Sequence, residues 1–476
     1  MIPLTLAEIA ALVDGTLTNA PEPHAQVTAP LMFDSRGANP GGLFLALTAE
    51  RDGHDYARAA VEQAGATAAL TTRPVGVPAI VVPDVLTAAA MLTAYLSAQL
   101  SGTTFIGVTG SSGKTSAKDL LSQILPALGP TVATEQSFNN EFGLPVTVSR
   151  ATRDTKYLVL EMGARGVGHI RYLTGMAPLD TAIVLNVGSA HLGEFGSRQR
   201  IAEAKGELIE DLPLSGWAVL NADDDLVAAM APRTRASVIL FGRSHNAQVR
   251  AEDVRLDDAG RARFTLATPS GSVPVRLRLV GEHHVDNALA AAAAVMPYGM
   301  TPQATADALS QSVQIASGRM EVTERPDGVT VVNDAYNANP ESMRAALDAL
   351  VSMTCAAGRN PVAVLGTMLE LGDHSEAAHS EVGAYAAKHG ITVIAVGSGP
   401  EARWIAGSAA SPHLVGDEHE AAELLRTLAV SGDVVLFKSS RDAGLRHLAA
   451  RYATEGRAEQ PSPRPTSIQP HNGGPS

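Results

Sequence analysis

The stretch Thr103-Thr104-Phe105-Ile106-Gly107-Val108-Thr109-Gly110-Ser111-Ser112-Gly113-Lys114-Thr115 constrains this chain more than any other. The apolar run from Phe105 to Val108 reads as a buried strand, and the residues from Ser116 to Leu125 read as a helix. A strand that runs through a tight glycine turn into a helix opens a β–α–β unit. That commits the surrounding chain to a mostly parallel sheet with crossover helices. The turn Thr109-Gly110-Ser111-Ser112-Gly113 can lay backbone N–H groups on phosphate oxygens, and the helix N-terminus adds positive potential. Lys114 can bridge β- and γ-phosphates, and the Thr115 hydroxyl can ligate Mg²⁺. The pattern G-x-x-x-x-G-K-[ST] asks for glycine where Val108 stands, so the match is imperfect. An ordinary Gly/Ser turn before a helix is the plain alternative.

The texture of the chain extends this reading. At about 150 residues per domain, 476 residues imply roughly three domains. Residues 1–100 mix short apolar runs, Leu43 to Leu47 and Ala79 to Val82, with a helix from Asp84 to Leu100. Leu4, Leu6, Ile9, Ala10 and Leu12 suit a short amphipathic helix. From residue 103, the runs TTFIGVTG, KYLVLEMG, TAIVLNVG and GWAVLNAD each end in Gly, Asn or Asp, with longer periodic segments between them. After Gln314 the runs VTVVND, PVAVLG, TVIAVG and DVVLFK repeat the pattern. The expected fold is therefore α/β in three domains. These are a small α+β domain over 1–100, a central P-loop-type doubly wound parallel sheet over 101–313, and a C-terminal Rossmann-like domain over 314–455. Residues 456–476 are rich in Pro, Ser and Gly, which predicts a disordered tail.

Composition excludes several classes. With 45% hydrophobic and 18% charged residues, each domain has material for a core. The net charge of −13 argues against a nucleic-acid surface, though not against a local basic pocket for phosphates. A single cysteine, Cys355, permits no internal disulfide and fits a reducing cytoplasm; it reads as a buried small residue near a helix end. No apolar run approaches the ~20 residues needed to span a bilayer, and the N-terminus lacks a basic leader.

Candidate partners for the phosphate loop lie past later strand ends, where an open α/β sheet places its ligand crevice. Glu161 closes Tyr157-Leu158-Val159-Leu160, and His191 follows Asn186-Val187-Gly188-Ser189-Ala190. Each has a bland alternative: Glu161 as a helix cap, His191 as a loop histidine. Lys205, in Ala202-Glu203-Ala204-Lys205-Gly206-Glu207, reads from the residues alone as a solvated helix lysine.

With these residues in hand, the chain resembles the Mur ligase family, the ATP-dependent amide ligases of peptidoglycan precursor synthesis. The resemblance runs along nearly the whole length except the tail. It implies that TGSSGKT is a variant phosphate loop and that Lys205 is carbamylated. It further implies that Thr115 and Glu161 hold one Mg²⁺ while His191 and Lys205 hold a second. In Gly281-Glu282-His283-His284-Val285-Asp286-Asn287 it assigns Asn287 to adenine. It sends Arg319, in Gly318-Arg319-Met320-Glu321, to the ATP phosphates, and Asp334 to the ribose. The segments Asp334 to Met343, Thr134 to Pro145 and Val364 to Gly372 resemble the member that adds D-alanyl-D-alanine to UDP-N-acetylmuramoyl tripeptide. The member that adds the third peptide residue is the alternative, and its D-N-P-R segment is absent.

Several substrate-binding assignments follow from the resemblance. Ser35, Arg36 and His54 meet the uridine diphosphate, and Asn139 and Asn140 also bind substrate. Tyr336, Asn337, Asn339, Lys438 and Arg441 lie with the C-terminal substrate groups. Thr367 and Ser439 depart from the family pattern, which usually has an acidic residue and a glycine there. The expected reaction passes through an acyl phosphate, in a monomer, with a hinge near 312–318 that closes the C-terminal domain.

Overall fold

The computed structural model describes residues 1–37, 39–48, 51–189, 192–355 and 358–455. His191 and the 456–476 segment therefore lie outside the described residues. The chain forms an N-terminal five-stranded sheet, a central nine-stranded sheet and a C-terminal six-stranded sheet, with a two-stranded pair at the N-terminus.

In the N-terminal sheet the strands run in the order Thr16–Thr18, Ala79–Val81, Ala68–Thr71, Leu43–Leu45, Leu31–Met32. The first is antiparallel to its neighbour and the rest are parallel. The amphipathic N-terminal helix spans Leu6–Leu12, started by a capping box between Thr5 and Glu8. The helix Val85–Gln99 begins where the Asp84 carboxylate accepts from Thr87 N–H. Its Leu92 and Leu96 share one continuous core with Leu158, Leu160 and Val184 of the central sheet.

The central sheet carries six parallel strands in the order Ser237–Gly242, Trp217–Asn221, Thr181–Val184, Thr104–Thr109, Tyr157–Glu161, Thr131–Ala133. Alternate residues face opposite sides. Leu158 and Leu160 meet the N-terminal domain's core, while Ile106, Val108 and Val159 meet the helices Lys114–Ile124 and His284–Val295. Half of the second helix is alanine and all of it but Asp286 is buried, so its small side chains let it lie close against the loop helix. Besides Thr131–Ala133 and Ser237–Gly242, which the sequence reading also did not name, the structure adds three further strands: Val249–Leu256, Arg261–Thr268 and Gly271–Val280. They continue the sheet, pairing antiparallel with one another. One face is buried and the other carries exposed arginines, the alternation expected of a half-solvated antiparallel sheet.

The C-terminal sheet runs Glu321–Glu324, Thr330–Asn333, Val434–Lys438, Pro361–Leu365, Thr392–Val396, Pro412–Val415, parallel except for its first strand. Helices cover both faces, with Leu347 and Val382 in one core and Leu425 and Leu448 in the other. Cys355 corrects an expectation: it is exposed. It ends the helix Pro340–Cys355, whose inward stripe is Met343, Leu347, Leu350 and Thr354. One residue past Thr354 turns about 100° away from that stripe.

The linker between the last two sheets is held by the loop helix. Gln123 donates its Nε2 to Val313 O at 3.0 Å and accepts Val313 N–H at 2.9 Å. Asp119 Oδ2 accepts Ala316 N–H at 3.3 Å.

Candidate active site

The strand Thr104–Thr109 sits between Tyr157–Glu161 and Thr181–Val184, and the chain crosses from one side of it to the other. The crevice beyond its carboxyl end is therefore a topological switch point. Val108, where the standard pattern wants glycine, lies inside the strand, fully buried and in register with Glu161. The turn begins only at Gly110, so the missing glycine has no turn to make. Gly113 is demanded twice over. It caps the helix at φ +79°, and a Cβ there would collide with Asn287 Oδ1.

Asn186 pins the loop. Its Oδ1 accepts Ser112 N–H at 2.9 Å, and its carbonyl accepts Ser111 N–H at 3.1 Å. Lys114 folds back over the loop, donating to Gly110 O at 2.7 Å. Burial pushes its amine below the usual lysine range; Glu161 opposes that and Arg319 adds to it. The Thr115 hydroxyl donates to Glu161 Oε2 at 2.9 Å, and Asn139 Nδ2 donates to Glu161 Oε1 at 2.8 Å. Asn140 Oδ1 accepts Phe142 N–H at 3.2 Å and Gly143 N–H at 3.1 Å in the turn that leads into the helix Gly143–Ser149. An edge-to-face contact between Phe33 and Phe138, centroids 5.3 Å apart, ties this segment to the N-terminal domain.

Lys205 lies on the helix Arg198–Glu210, almost fully buried rather than solvated, and lines the same cleft as Lys114. Desolvation, reinforced by Lys114, drives its amine well below the usual lysine range.

The facing wall comes from the C-terminal domain. The Arg319 guanidinium stacks on the Tyr336 ring at 4.5 Å, with its buried Nε unpartnered among the described residues. Arg441 approaches the same ring at 5.7 Å. Tyr336, Asn337 and Asn339 line the cleft, whose volume is about 210 Å³. Asn339 also starts the helix Pro340–Cys355, accepting Ser342 N–H at 2.8 Å. A second cavity of about 410 Å³ adjoins it, lined by Asn287, Asp334, His283, His284 and Lys438. Burial pushes both histidines down, so the stacked rings are neutral.

Lys438 belongs to this second cavity and not to the cleft. Its buried ammonium donates to Asp334 Oδ2 at 2.5 Å and Asn337 O at 3.1 Å. Ser439, where glycine is common, fits because its Cβ faces Gly366, which has none. Ser35, Arg36 and His54 stand apart from both cavities. Arg36 is exposed and paired with Asp34, holding that carboxyl at about 2. The His54 ring is buried between Asp52 (2.6 Å) and Thr72 N–H (2.9 Å).

Sequence reasoning had not singled out Arg165, His169, Ser342 or Glu370, all of which line the cleft. It also passed over Glu341, which reaches across to Ser189, accepting its N–H at 2.9 Å and its hydroxyl at 3.0 Å. Glu341 and Ser342 lay in the segment Asp334 to Met343 and Glu370 in Val364 to Gly372, both of which stood out, while Arg165 and His169 lay in none.

Among the described residues, no three His, Cys, Asp or Glu side chains gather to hold a metal by themselves. Thr115 and Glu161 offer a hydroxyl and a carboxylate side by side. That donor set suits Mg²⁺, which fills its other positions with phosphate oxygens and water.

A phosphate loop on one sheet, faced by an arginine from another, defines a nucleotide-dependent enzyme whose cleft is shared between domains. Residues 108–295 match the Mur ligase middle domain, and residues 318–441 match the Mur ligase glutamate ligase domain. The chain belongs to the Mur ligase family, a family of ATP-dependent ligases. It is 46% identical to the UDP-N-acetylmuramoyl-tripeptide–D-alanyl-D-alanine ligase of Mycobacterium tuberculosis (strain ATCC 25618 / H37Rv), over 94% of this chain and 97% of that one. The Escherichia coli (strain K12) ligase of the same name is 35% identical, over 96% and 100%. The crystal structure of MurF from Acinetobacter baumannii superposes with a TM-score of 0.84 at 32% identity, covering 95% of this chain and 99% of that one. MurF from Thermotoga maritima in complex with ADP superposes at 0.78 with 31% identity, covering 90% and 98%.

Proposed function

We propose that this chain joins D-alanyl-D-alanine to the terminal carboxylate of UDP-N-acetylmuramoyl tripeptide, with ATP converted to ADP and phosphate. The observation that carries the chemistry is the shared cleft, with Lys114 on one wall and Arg319 on the other. The choice of acceptor rests on the near full-length similarity to ligases of that name. Nothing favours the family member that adds the third residue.

A bare carboxylate is a poor electrophile. The tripeptide carboxylate attacks the γ-phosphorus of ATP, and the acyl phosphate so formed carries a leaving group. The dipeptide amine attacks its carbonyl, and phosphate departs from the tetrahedral intermediate. Two anions must first be brought together, and Lys114 and Arg319 offset that repulsion while holding the transferring phosphoryl group. Positioning supplies much of the remaining acceleration.

The adenosine lies in the second cavity, with Asn287 at the base and Asp334 at the ribose. Lys438 aligns Asp334 and the Asn337 turn. Tyr336, Asn337, Asn339 and Arg441 serve the C-terminal wall where the dipeptide arrives, and Asn139 and Asn140 the peptide end. Residues 1–100 hold the uridine diphosphate through Ser35, Arg36 and His54. Residues 101–313 bind ATP, and 314–455 bind the dipeptide.

Thr115 and Glu161 would hold one Mg²⁺, and His191 with a carbamylated Lys205 a second; when bound, these ions neutralise phosphate charge. The carbamate reading is supported by the burial of Lys205, which with Lys114 nearby lowers the basicity of its amine. A neutral amine adds to CO₂ and releases a proton, turning a repelling group into an anionic ligand. The working unit in this reading is a monomer, acting in the cytoplasm where ATP is available. The linker gripped by Gln123 and Asp119 is the hinge for closure.

Mass spectrometry of products from ATP, UDP-N-acetylmuramoyl tripeptides (lysine or diaminopimelate as third residue) and D-alanyl-D-alanine tests this. A pentapeptide mass is expected. ATP hydrolysis indifferent to both acceptors, with no new amide, would make the protein a switch-type nucleotidase instead.

A further inference from the structure

The turn from Gly163 to Gly168 joins the strand Tyr157–Glu161 to the helix His169–Met176, and it is fixed from several sides. Gly163 N–H donates to Asn139 O at 2.8 Å. The buried Glu207 carboxylate, on the helix Arg198–Glu210, accepts Gly168 N–H at 2.5 Å and Arg171 N–H at 3.0 Å. It thereby serves first-turn N–H groups that no local side chain caps. Arg165 N–H donates to His169 Nδ1 at 3.3 Å, and the ring's Nε2 donates to the Glu141 carboxylate at 2.9 Å. The helix His169–Met176 packs on Val85–Gln99 of the N-terminal domain, and Ala164 and Ile170 share one core with Leu92 and Leu96. The turn therefore meets the N-terminal domain on one side and lines the cleft on the other.

With the backbone so pinned, one charged group on the turn is left over. The Arg165 side chain lines the cleft and, among the described residues, makes no hydrogen bond or ion pair. The acids around the turn are engaged elsewhere: Glu141 with His169, Glu207 with backbone N–H groups, and Glu161 with Thr115 and Asn139. A guanidinium offers a planar fork of donors that matches a carboxylate at two points.

Lys114 and Arg319 are committed to the phosphates, so Arg165 faces a different anion. The UDP-N-acetylmuramoyl tripeptide carries one. Its glutamyl residue brings two carboxyl groups, and a linear chain spends only one of them. The other travels with the substrate whichever residue stands third. It also lies between the sugar nucleotide, held by the N-terminal domain, and the terminal carboxylate, which must reach Lys114. We infer that the Arg165 guanidinium receives the free glutamyl carboxylate and so anchors the peptide one residue before its reacting end; this rests on the ligase reading above.

The test compares the full chain with its Arg165→Met variant on two substrates. One is the tripeptide, and the other is its analogue with a carboxamide in place of the free glutamyl carboxylate. Pentapeptide formation is followed with ATP and D-alanyl-D-alanine in excess. We expect wild type to show a KM about 30-fold higher for the carboxamide. Arg165→Met should raise KM for the free acid by about the same factor and leave KM for the carboxamide within about threefold of wild type, with kcat little changed on both. Arg165→Lys, which keeps the charge and loses the fork, should recover part of the discrimination. A residue that merely supports the fold would impair both substrates alike. Equal use of acid and carboxamide by wild type, or a parallel rise in both KM values in Arg165→Met, overturns the inference. Wild-type enzyme yielding no pentapeptide from the free acid would instead sink the ligase reading on which it stands.

Discussion

The two walls of the cleft are built on different principles. The middle-domain wall is local: Gly110 to Thr115 is contiguous, and the loop's shape follows from its own glycines and the helix it opens. The C-terminal wall is assembled from afar. Arg319, Tyr336 and Glu370 come from separate strand ends and meet only because the sheet order brings them together, and Lys438, in the adjoining cavity, braces Asp334 and the Asn337 turn behind them. A local site tolerates loss of a reacting side chain without unfolding. An assembled site uses some of its polar residues as struts, and removing one costs structure as well as rate.

The largest expected effect tests the local wall. Lys114→Ala should lower kcat/KM by about 10³-fold with an unchanged melting temperature. Product formation dependent on both substrates, beside a thermal melt, checks both halves; near-normal turnover would remove the phosphate site. Next comes Lys205→Ala, expected to lose about 100-fold and to regain activity when short carboxylic acids are added. Full activity without supplement would end the carbamate assignment.

The assembled wall should behave otherwise. Lys438→Met leaves the Asp334 carboxylate without its buried partner. It should destabilise the C-terminal domain by about 3 kcal/mol, lowering its Tm by about 10 °C in calorimetry. An unaltered melt would place Lys438 among the purely functional groups. The smallest effect is expected where the walls touch. Glu341→Ala removes the contact to Ser189 and should raise KM for ATP about fivefold with little change in kcat. A KM equal to wild type would show that this contact does not stabilise the closed arrangement.

The same contrast explains how much could be read in advance. The strand–loop–helix unit and the parallel strands at Tyr157, Thr181, Trp217, Thr330, Pro361, Thr392 and Val434 were legible. Buried parallel strands are short continuous apolar runs ending in turn residues. The strands from Val249 to Val280 alternate arginine with apolar residues, and the charges masked a period-two pattern that was present. Lys205 looked like a surface lysine because helical periodicity cannot say that its helix will pack against the central sheet with that residue buried at the cleft. Glu370 had no signal of its own, since its left-handed backbone is imposed by Gly193, Ser440 and His379, far away in the chain.

By itself the sequence determined the fold class, the phosphate loop and the family, because apolar periodicity and glycine placement act over a few residues. Tertiary structure alone decided which charged groups are buried, which are neutral and which pair. Desolvation and ion pairing depend on neighbours that chain order does not reveal: Lys205 beside Lys114, and Lys438 on Asp334.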